Sequence, residues 1–134
     1  MWKCEPVVGA SLDVAEVTAL YRASTLGERR PVDDVERFTR MLAGANLVIT
    51  ARLDGRLIGI ARSVTDGAYA TYLSDIAVDA GFQRRGVGRD LIRATREAAP
   101  QAKLILLAAP AAVEYYPHIG FDRHESAWTL DSLV

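Results

Sequence analysis

The feature that most constrains this chain is an amphipathic stretch, "QRRGVGRDLIRATREAA" (residues 83–99), set between two strand-like runs. Before it stands "AYATYLSDIAV"; after it, past Pro100, comes "KLILLAA". Val87, Leu91, Ala94 and Ala98 recur at helical spacing and form one apolar stripe, while Arg89, Asp90, Arg93 and Arg96 lie mainly elsewhere. A strand, a helix of about three turns and a further strand make a crossover unit, which is right-handed and joins parallel neighbours. The unbroken apolar texture of "KLILLAA" predicts a strand buried on both faces.

Upstream the pattern is different. "NLVITARL" and "RLIGIARSV" flank Asp54-Gly55, a pair that supplies the positive φ angles of a tight hairpin turn. Asp66-Gly67 then leads into "AYATYLSDIAV", so three consecutive strands form an antiparallel meander. Joined to the crossover, this predicts an α/β chain (α+β, with a mixed sheet) whose helices cover both faces.

Two helices are predicted ahead of the meander. "SLDVAEVTALYRAS" places Val14, Val17 and Leu20/Tyr21 on one side, with Ser11 or Asp13 as cap. "PVDDVERFTRMLAG" opens on Pro31 and acids, has Val35, Phe38 and Leu42 as its stripe, and ends at Gly44. Downstream, "PAAVEYY" reads as a short helix cut off by Pro117, and "GFDRHESAWTL" as one or two terminal strands turning near Glu125-Ser126. The first residues read as an edge strand, and Trp2 and Trp128 as closures of the sheet ends.

Residues 1–134 are a suitable length for one domain with its own core. A net charge of -1 advertises neither nucleic acid nor an anionic membrane as a partner. Lone Cys4 excludes an internal disulfide and offers no metal-ligand spacing, so no metal is expected. No apolar run approaches the ~20 residues that span a bilayer, and "MWKCEPVVG" lacks a signal-peptide core, which together predict a cytoplasmic protein.

Gly86 and Gly88 stand where a helix must nucleate, among Arg84, Arg85 and Arg89. Glycine costs a helix about 1 kcal/mol against alanine. It also leaves the unpaired N–H groups of the first turn open to an anion, at the positive end of the helix dipole. Two phosphate loops are excluded: there is no G-x-x-x-x-G-K-[ST], and Leu91 takes the third glycine position of a dinucleotide fingerprint.

"DIAVDAGFQRRGVGRDLI" resembles the acetyl-CoA-binding motif of the GNAT superfamily of N-acetyltransferases, Q/R-x-x-G-x-G/A, through Gln83, Gly86 and Gly88. "YYPHIGF" is similar to the family's Y-x-x-x-G-F, through Tyr116, Gly120 and Phe121. The resemblance implies a GNAT fold and transfer of an acetyl group from acetyl-CoA to a primary amine. It places the pyrophosphate on Gln83, Arg84, Arg85, Gly86, Val87, Gly88 and Arg89. It lays the pantetheine arm on the backbone of Ile76, Ala77 and Val78, and makes Tyr116 the acid that protonates the leaving thiolate. Asp75, beside that strand, stays open between general base, amine-orienting carboxylate and structural acid; its parity sends it to the opposite face from Ile76 and Val78 unless a bulge intervenes.

Two departures stand out. Ala109 replaces the asparagine many relatives use to hold pantetheine, and "KLILLAA" lacks the glutamate some peptide-acetylating relatives use as base. The second favours a small-molecule acceptor over a protein. The acceptor cleft is expected between residues 26–30 and the C-terminal strands, with Arg29 and Arg30 a solvated basic pair. The alternative is a non-catalytic acyl-CoA-binding module of the same fold; a homodimer stays open.

Overall fold

A computed structural model describes all 134 residues, Met1–Val134. Five strands form one sheet in the order β1-β2-β3-β4-β5: β1 (Lys3–Val7), β2 (Leu47–Leu53), β3 (Arg56–Thr65), β4 (Ala70–Val78) and β5 (Lys103–Ile105). The first three pairings are antiparallel and β4–β5 is parallel. The expected meander, N-terminal edge strand and crossover are therefore all present. Asp54 (φ 50°) and Gly55 (φ 82°) make the β2–β3 turn, both left-handed as a primed hairpin turn requires. At the β3–β4 turn, Asp66 Oδ1 accepts from the amides of Ala68, Tyr69 and Ala70, which holds its carboxyl below the usual range.

Helices α1 (Val14–Ala23) and α2 (Val35–Gly44) cover one face, and α3 (Val87–Ala98) the other. Val17, Leu20, Tyr21, Phe38 and Leu42 pack on Val48, Leu57, Ile60 and Ala77. Val87, Leu91 and Ile92 pack on Leu47, Ile49, Ala51, Ile58, Ala61 and Leu73. Asp13, not Ser11, caps α1 by accepting from the Ala15 amide, and Asp34 caps α2 by accepting from that of Arg37. Val35 is 64% exposed rather than part of the α2 stripe; it sits on the first turn, and Val32 fills the core ahead of the cap. On α3, Ile92 and Thr95 are buried, whereas Ala98 is exposed and lies outside the buried stripe.

The C-terminal third departs most from expectation. β5 has only three residues and borders nothing beyond itself. Leu104 and Leu106 point into the α3-side core, while Ile105 and Leu107 are about half exposed, so "KLILLAA" is buried on one face only. "PAAVEYY" is not an α-helix: two 3-10 turns, Pro110–Ala112 and Tyr116–Ile119, replace it. Pro117 is the second residue of the second turn rather than the stop of a helix, an early position where its missing N–H costs little. The turn at Glu125-Ser126 is present, but no strand forms after Phe121, and Trp128 is 92% exposed. Trp2 does close its end of the sheet, donating its indole N–H to Asp90 at 2.8 Å.

Candidate functional site

The β4–α3 loop is pinned from the sheet side. The Asp79 amide donates to the Ile58 carbonyl at 2.9 Å, its carboxylate accepts from the Gly81 amide and Arg56, and the Gln83 side chain donates to the Val78 carbonyl. Gln83 thus clamps the loop. Arg85 lies over the Phe82 ring, 5.4 Å from its centre, and Arg84 is exposed.

Arg84 (φ 64°) and Gly86 (φ 98°) are left-handed, and α3 starts at Val87 without a side-chain cap. Left-handed residues of this kind turn successive amides into an anion-binding concavity. The amides of residues 84–89 donate to no group of the chain, so the orphan donors of the helix start are gathered here. A β-carbon placed on Gly88 would stand 3.8 Å from the Tyr115 hydroxyl and 3.9 Å from Ile76 Cδ1 and Val78 Cγ2. Gly88 therefore opens onto a slot walled by β4 and Tyr115, and a longer side chain would fill it. Diphosphate oxygens fit this donor set.

Beside the cradle, β4 and β5 part. They pair only at Ala70↔Lys103, Thr71↔Leu104 and Tyr72↔Ile105. From Leu73 to Val78 the opposite edge of β4 remains bonded to β3, with Ile76 against Ala61 and Val78 against Gly59. The edge toward β5 has no strand partner, so Ile76, Ala77 and Val78 border a gap suited to an extended amide-bearing chain. Ile76 and Val78 side chains pack on the α3-side core, and Ala77 is buried against the other layer.

Tyr116 packs edge-on against Phe121 and Tyr115, with ring centres 5.4 Å apart in each pair. It is half-buried, and burial, then the neighbouring Tyr115, pushes its hydroxyl pKa up. Tyr115 is the more exposed of the two, and its hydroxyl is the one that reaches Gly88. Tyr116, expected at the thioester, is thus the better packed ring of the two.

Asp75 has no exposed side-chain surface. A bulge at Ser74 lets Leu73 face α3 while Asp75 faces α1 and α2, opposite Ile76 and Val78 as parity predicted. Its Oδ2 accepts from Tyr21 Oη (2.8 Å) and Arg62 Nε (2.6 Å), and its Oδ1 from Arg30 Nε (2.6 Å) and Ser74 Oγ (3.1 Å). Burial alone would raise this carboxyl; hydrogen bonds and charge from Arg62, then Arg30, outweigh it and hold it below the usual range. Tyr21 moves the other way, pushed up by burial and then by the Asp75 charge. Four donors occupy the lone pairs a carboxylate offers, leaving none for an incoming proton.

Arg30 is not a solvated partner of Arg29. It also donates to the Ser74 carbonyl, tying the α1–α2 connector to the bulge of β4. The reading missed Arg62 and Tyr21. Arg62 carried a signal, a charge at an inward position of "RLIGIARSV"; Tyr21 read only as core. The connector borders this network, but the C-terminal strands expected across from it are absent.

Residues 23–131 match the acetyltransferase (GNAT) domain. A curated relative, a histone acetyltransferase called TAP1 from Glycine max, is 36% identical over 70 residues, which cover 50% of this chain and 30% of that protein. The matched stretch thus spans less than a third of the relative. A GNAT-family acetyltransferase from Streptococcus pneumoniae superposes with a TM-score of 0.77 at 20% identity, covering 98% of this chain and 100% of that one. The aminoglycoside N-acetyltransferase AAC(6')-Iy, solved in complex with CoA, gives 0.72 at 17% identity, covering 100% and 96%. With a mixed sheet parted between β4 and β5, a glycine-lined helix start beside the gap and a family match over residues 23–131, this chain belongs to the GNAT acetyltransferase family.

Proposed function

We propose that the protein transfers the acetyl group of acetyl-CoA directly to a primary amine, with a small molecule as acceptor. The observation that carries this is the continuity of unpaired main-chain donors. The free amides of residues 84–89 lead into the edge of β4 that has no strand partner, where Ile76 and Val78 face the gap and the Val78 carbonyl already accepts from Gln83. A diphosphate followed by a chain of amides matches that sequence of partners, and one fold neighbour was solved with CoA.

Bound acetyl-CoA supplies the activated thioester. The amides around Gly86 and Gly88 hold its diphosphate, with Arg84, Arg85 and Arg89 adding positive charge. As the acceptor's nitrogen–carbon bond forms and the carbon–sulfur bond breaks, Tyr116 gives its proton to the departing sulfur. Its raised pKa keeps that proton in place at neutral pH. The amine proton passes to water, because the Asp75 lone pairs are occupied. Asp75 instead positions β4 and the α1–α2 connector through Arg62 and Arg30. A lysine-like amine at pH 7 lies about 3 units below its pKa, a handicap of roughly 4 to 5 kcal/mol that the acceptor itself carries.

Ala109 leaves the arm to be held by backbone and packing alone. A second reading makes Tyr115 the acid, on the single observation that its hydroxyl reaches the Gly88 slot. Calorimetry with acetyl-CoA, followed by an amine panel monitored for free thiol, tests the proposal. Binding with acceptor-dependent thiol release is the expected result. Binding without release from any amine leaves the non-catalytic acyl-CoA module, and no binding removes both.

A further inference from the structure

On the face of the sheet that carries α1 and α2, Val64, Tyr72 and Ile105 stand directly opposite one another across β3, β4 and β5. The bulge at Ser74 sends Leu73 to the α3 side and Tyr72 to this one. Leu107, two residues beyond Ile105, continues the row, since Leu106 between them turns toward α3. Each of the four is about half exposed. The two helices pack on Leu57, Ile60 and Ala77, at the other end of the same strands, and leave this end bare. The result is a continuous apolar shelf rather than scattered single side chains.

The shelf begins where β4 and β5 last pair. Tyr72↔Ile105 is the final pairing before the strands part, so the shelf flanks the closed end of the gap. From Val78, next to the cradle, back to Leu73 the strand covers roughly 17 Å, at about 3.3 Å per residue. A coenzyme arm laid along that edge from the cradle points its thioester at the closed end. Val87, Leu91 and Ile92 fill the α3 side against Leu73. An amine therefore reaches the thioester from the α1–α2 side, across the shelf.

The polar groups at the same spot are cationic. Arg30 lays its guanidinium beside the fork, donating to the Ser74 carbonyl at 2.9 Å, with 25% of its side chain exposed. Residues 26–30 hold one acid, Glu28, against Arg29 and Arg30. Both oxygens of Asp75 are already taken. An acceptor with several ammonium groups would set one of them against Arg30, with no free Asp75 oxygen to answer it. An acceptor with one amine on an apolar body buries that body on the shelf instead, a gain proportional to the area removed from water.

We propose that the acceptor is a monoamine carried on an aryl or alkyl body, and that Tyr72, Ile105 and Leu107 form the specificity-determining wall that receives that body. This rests on the acetyl-CoA reading above and names its substrate class.

The test follows thiol released from acetyl-CoA with three probes, 2-phenylethylamine, hexylamine and spermidine, alongside calorimetry of acetyl-CoA itself. Wild type should favour the two monoamines over spermidine in kcat/KM on the order of 10- to 100-fold, the worth of burying an apolar group of that size. Tyr72→Ser/Ile105→Ser, checked for fold by circular dichroism, should raise KM for 2-phenylethylamine about 10-fold with acetyl-CoA affinity unchanged. Tyr72→Phe, which keeps the ring, should hold the wild-type KM. Spermidine used as well as the monoamines, or better, overturns the acceptor class while leaving the acetyl-CoA reading standing. So does an unchanged KM in the double serine variant. Acetyl-CoA binding without thiol release from any amine overturns both the class and the transfer reaction, and failure to bind acetyl-CoA removes the coenzyme reading as well.

Discussion

Arg62 brings its Nε within 2.6 Å of Asp75 Oδ2 across the β3–β4 pairing, where the aspartate side chain has no solvent exposure and the arginine about a tenth. Arg62 also donates to the Met41 carbonyl near the C-terminal end of α2, so one guanidinium ties sheet to helix layer. Removing one member of such a pair leaves a buried charge uncompensated. Asp75→Asn should lower the unfolding free energy by about 3 to 5 kcal/mol, read from urea denaturation at pH 7.

The same pair sets an acid limit. Because the folded Asp75 carboxyl is held below its ordinary value, its contribution is fully present above the unfolded pKa of about 3.9. It disappears as pH falls through the lower, folded value. Stability of the wild type relative to Asp75→Asn should therefore be constant from pH 7 to near 5 and shrink steadily below 4. A difference that persists unchanged to pH 2 would show that the carboxylate is not the stabilising form.

The two glycines should separate in their effects. Gly86 is left-handed at φ 98°, so Gly86→Ala should cost about 1 to 2 kcal/mol of stability. Gly88 has ordinary helical backbone and room for one carbon. Gly88→Glu should leave the fold intact by circular dichroism yet abolish acetyl-CoA binding in calorimetry, by filling the slot with bulk and negative charge.

These glycines mark what the chain discloses without its coordinates. Their spacing, the Asp-Gly turns and the span of α3 are local signals and each appears in the structure, although Ile92 and Thr95 rather than Ala98 complete the buried stripe. The Asp75 network was half legible: strand parity placed the carboxylate, but not the arginines that reach it from 13 and 45 residues away. Failures cluster after Lys103. There an apolar run looks the same whether a strand is covered on both faces or borders solvent, and only the missing neighbour of β5 decides between them. Pro110 and Pro117 signalled the start and stop of a helix, whereas each lies in the opening of a separate tight 3-10 turn.

Tyrosine variants decide between the neighbouring hydroxyls. Tyr116→Phe should lower kcat by roughly 10²- to 10⁴-fold, the usual worth of a positioned acid, with acetyl-CoA affinity nearly unchanged. Tyr115→Phe should leave kcat within a few-fold. The reverse pattern would assign the proton to Tyr115.

Turnover should also carry a particular pH signature. With Asp75 saturated, no acidic limb from a carboxylate base is expected. For a lysine-like acceptor, kcat/KM should climb with pH as more amine becomes neutral, and continue past pH 9, because the Tyr116 hydroxyl is held protonated by its burial. A plateau between pH 4 and 7 would instead reveal a base that the Asp75 geometry excludes.

The parting of β4 from β5 after Tyr72 has a consequence for how the cleft should be probed. Recognition through N–H and C=O groups is blind to side-chain identity, so alanine substitution of Ile76 or Val78 would register packing losses and overlook the ligand. Amide-to-ester replacement at single positions deletes one donor at a time, and would make that silent surface audible.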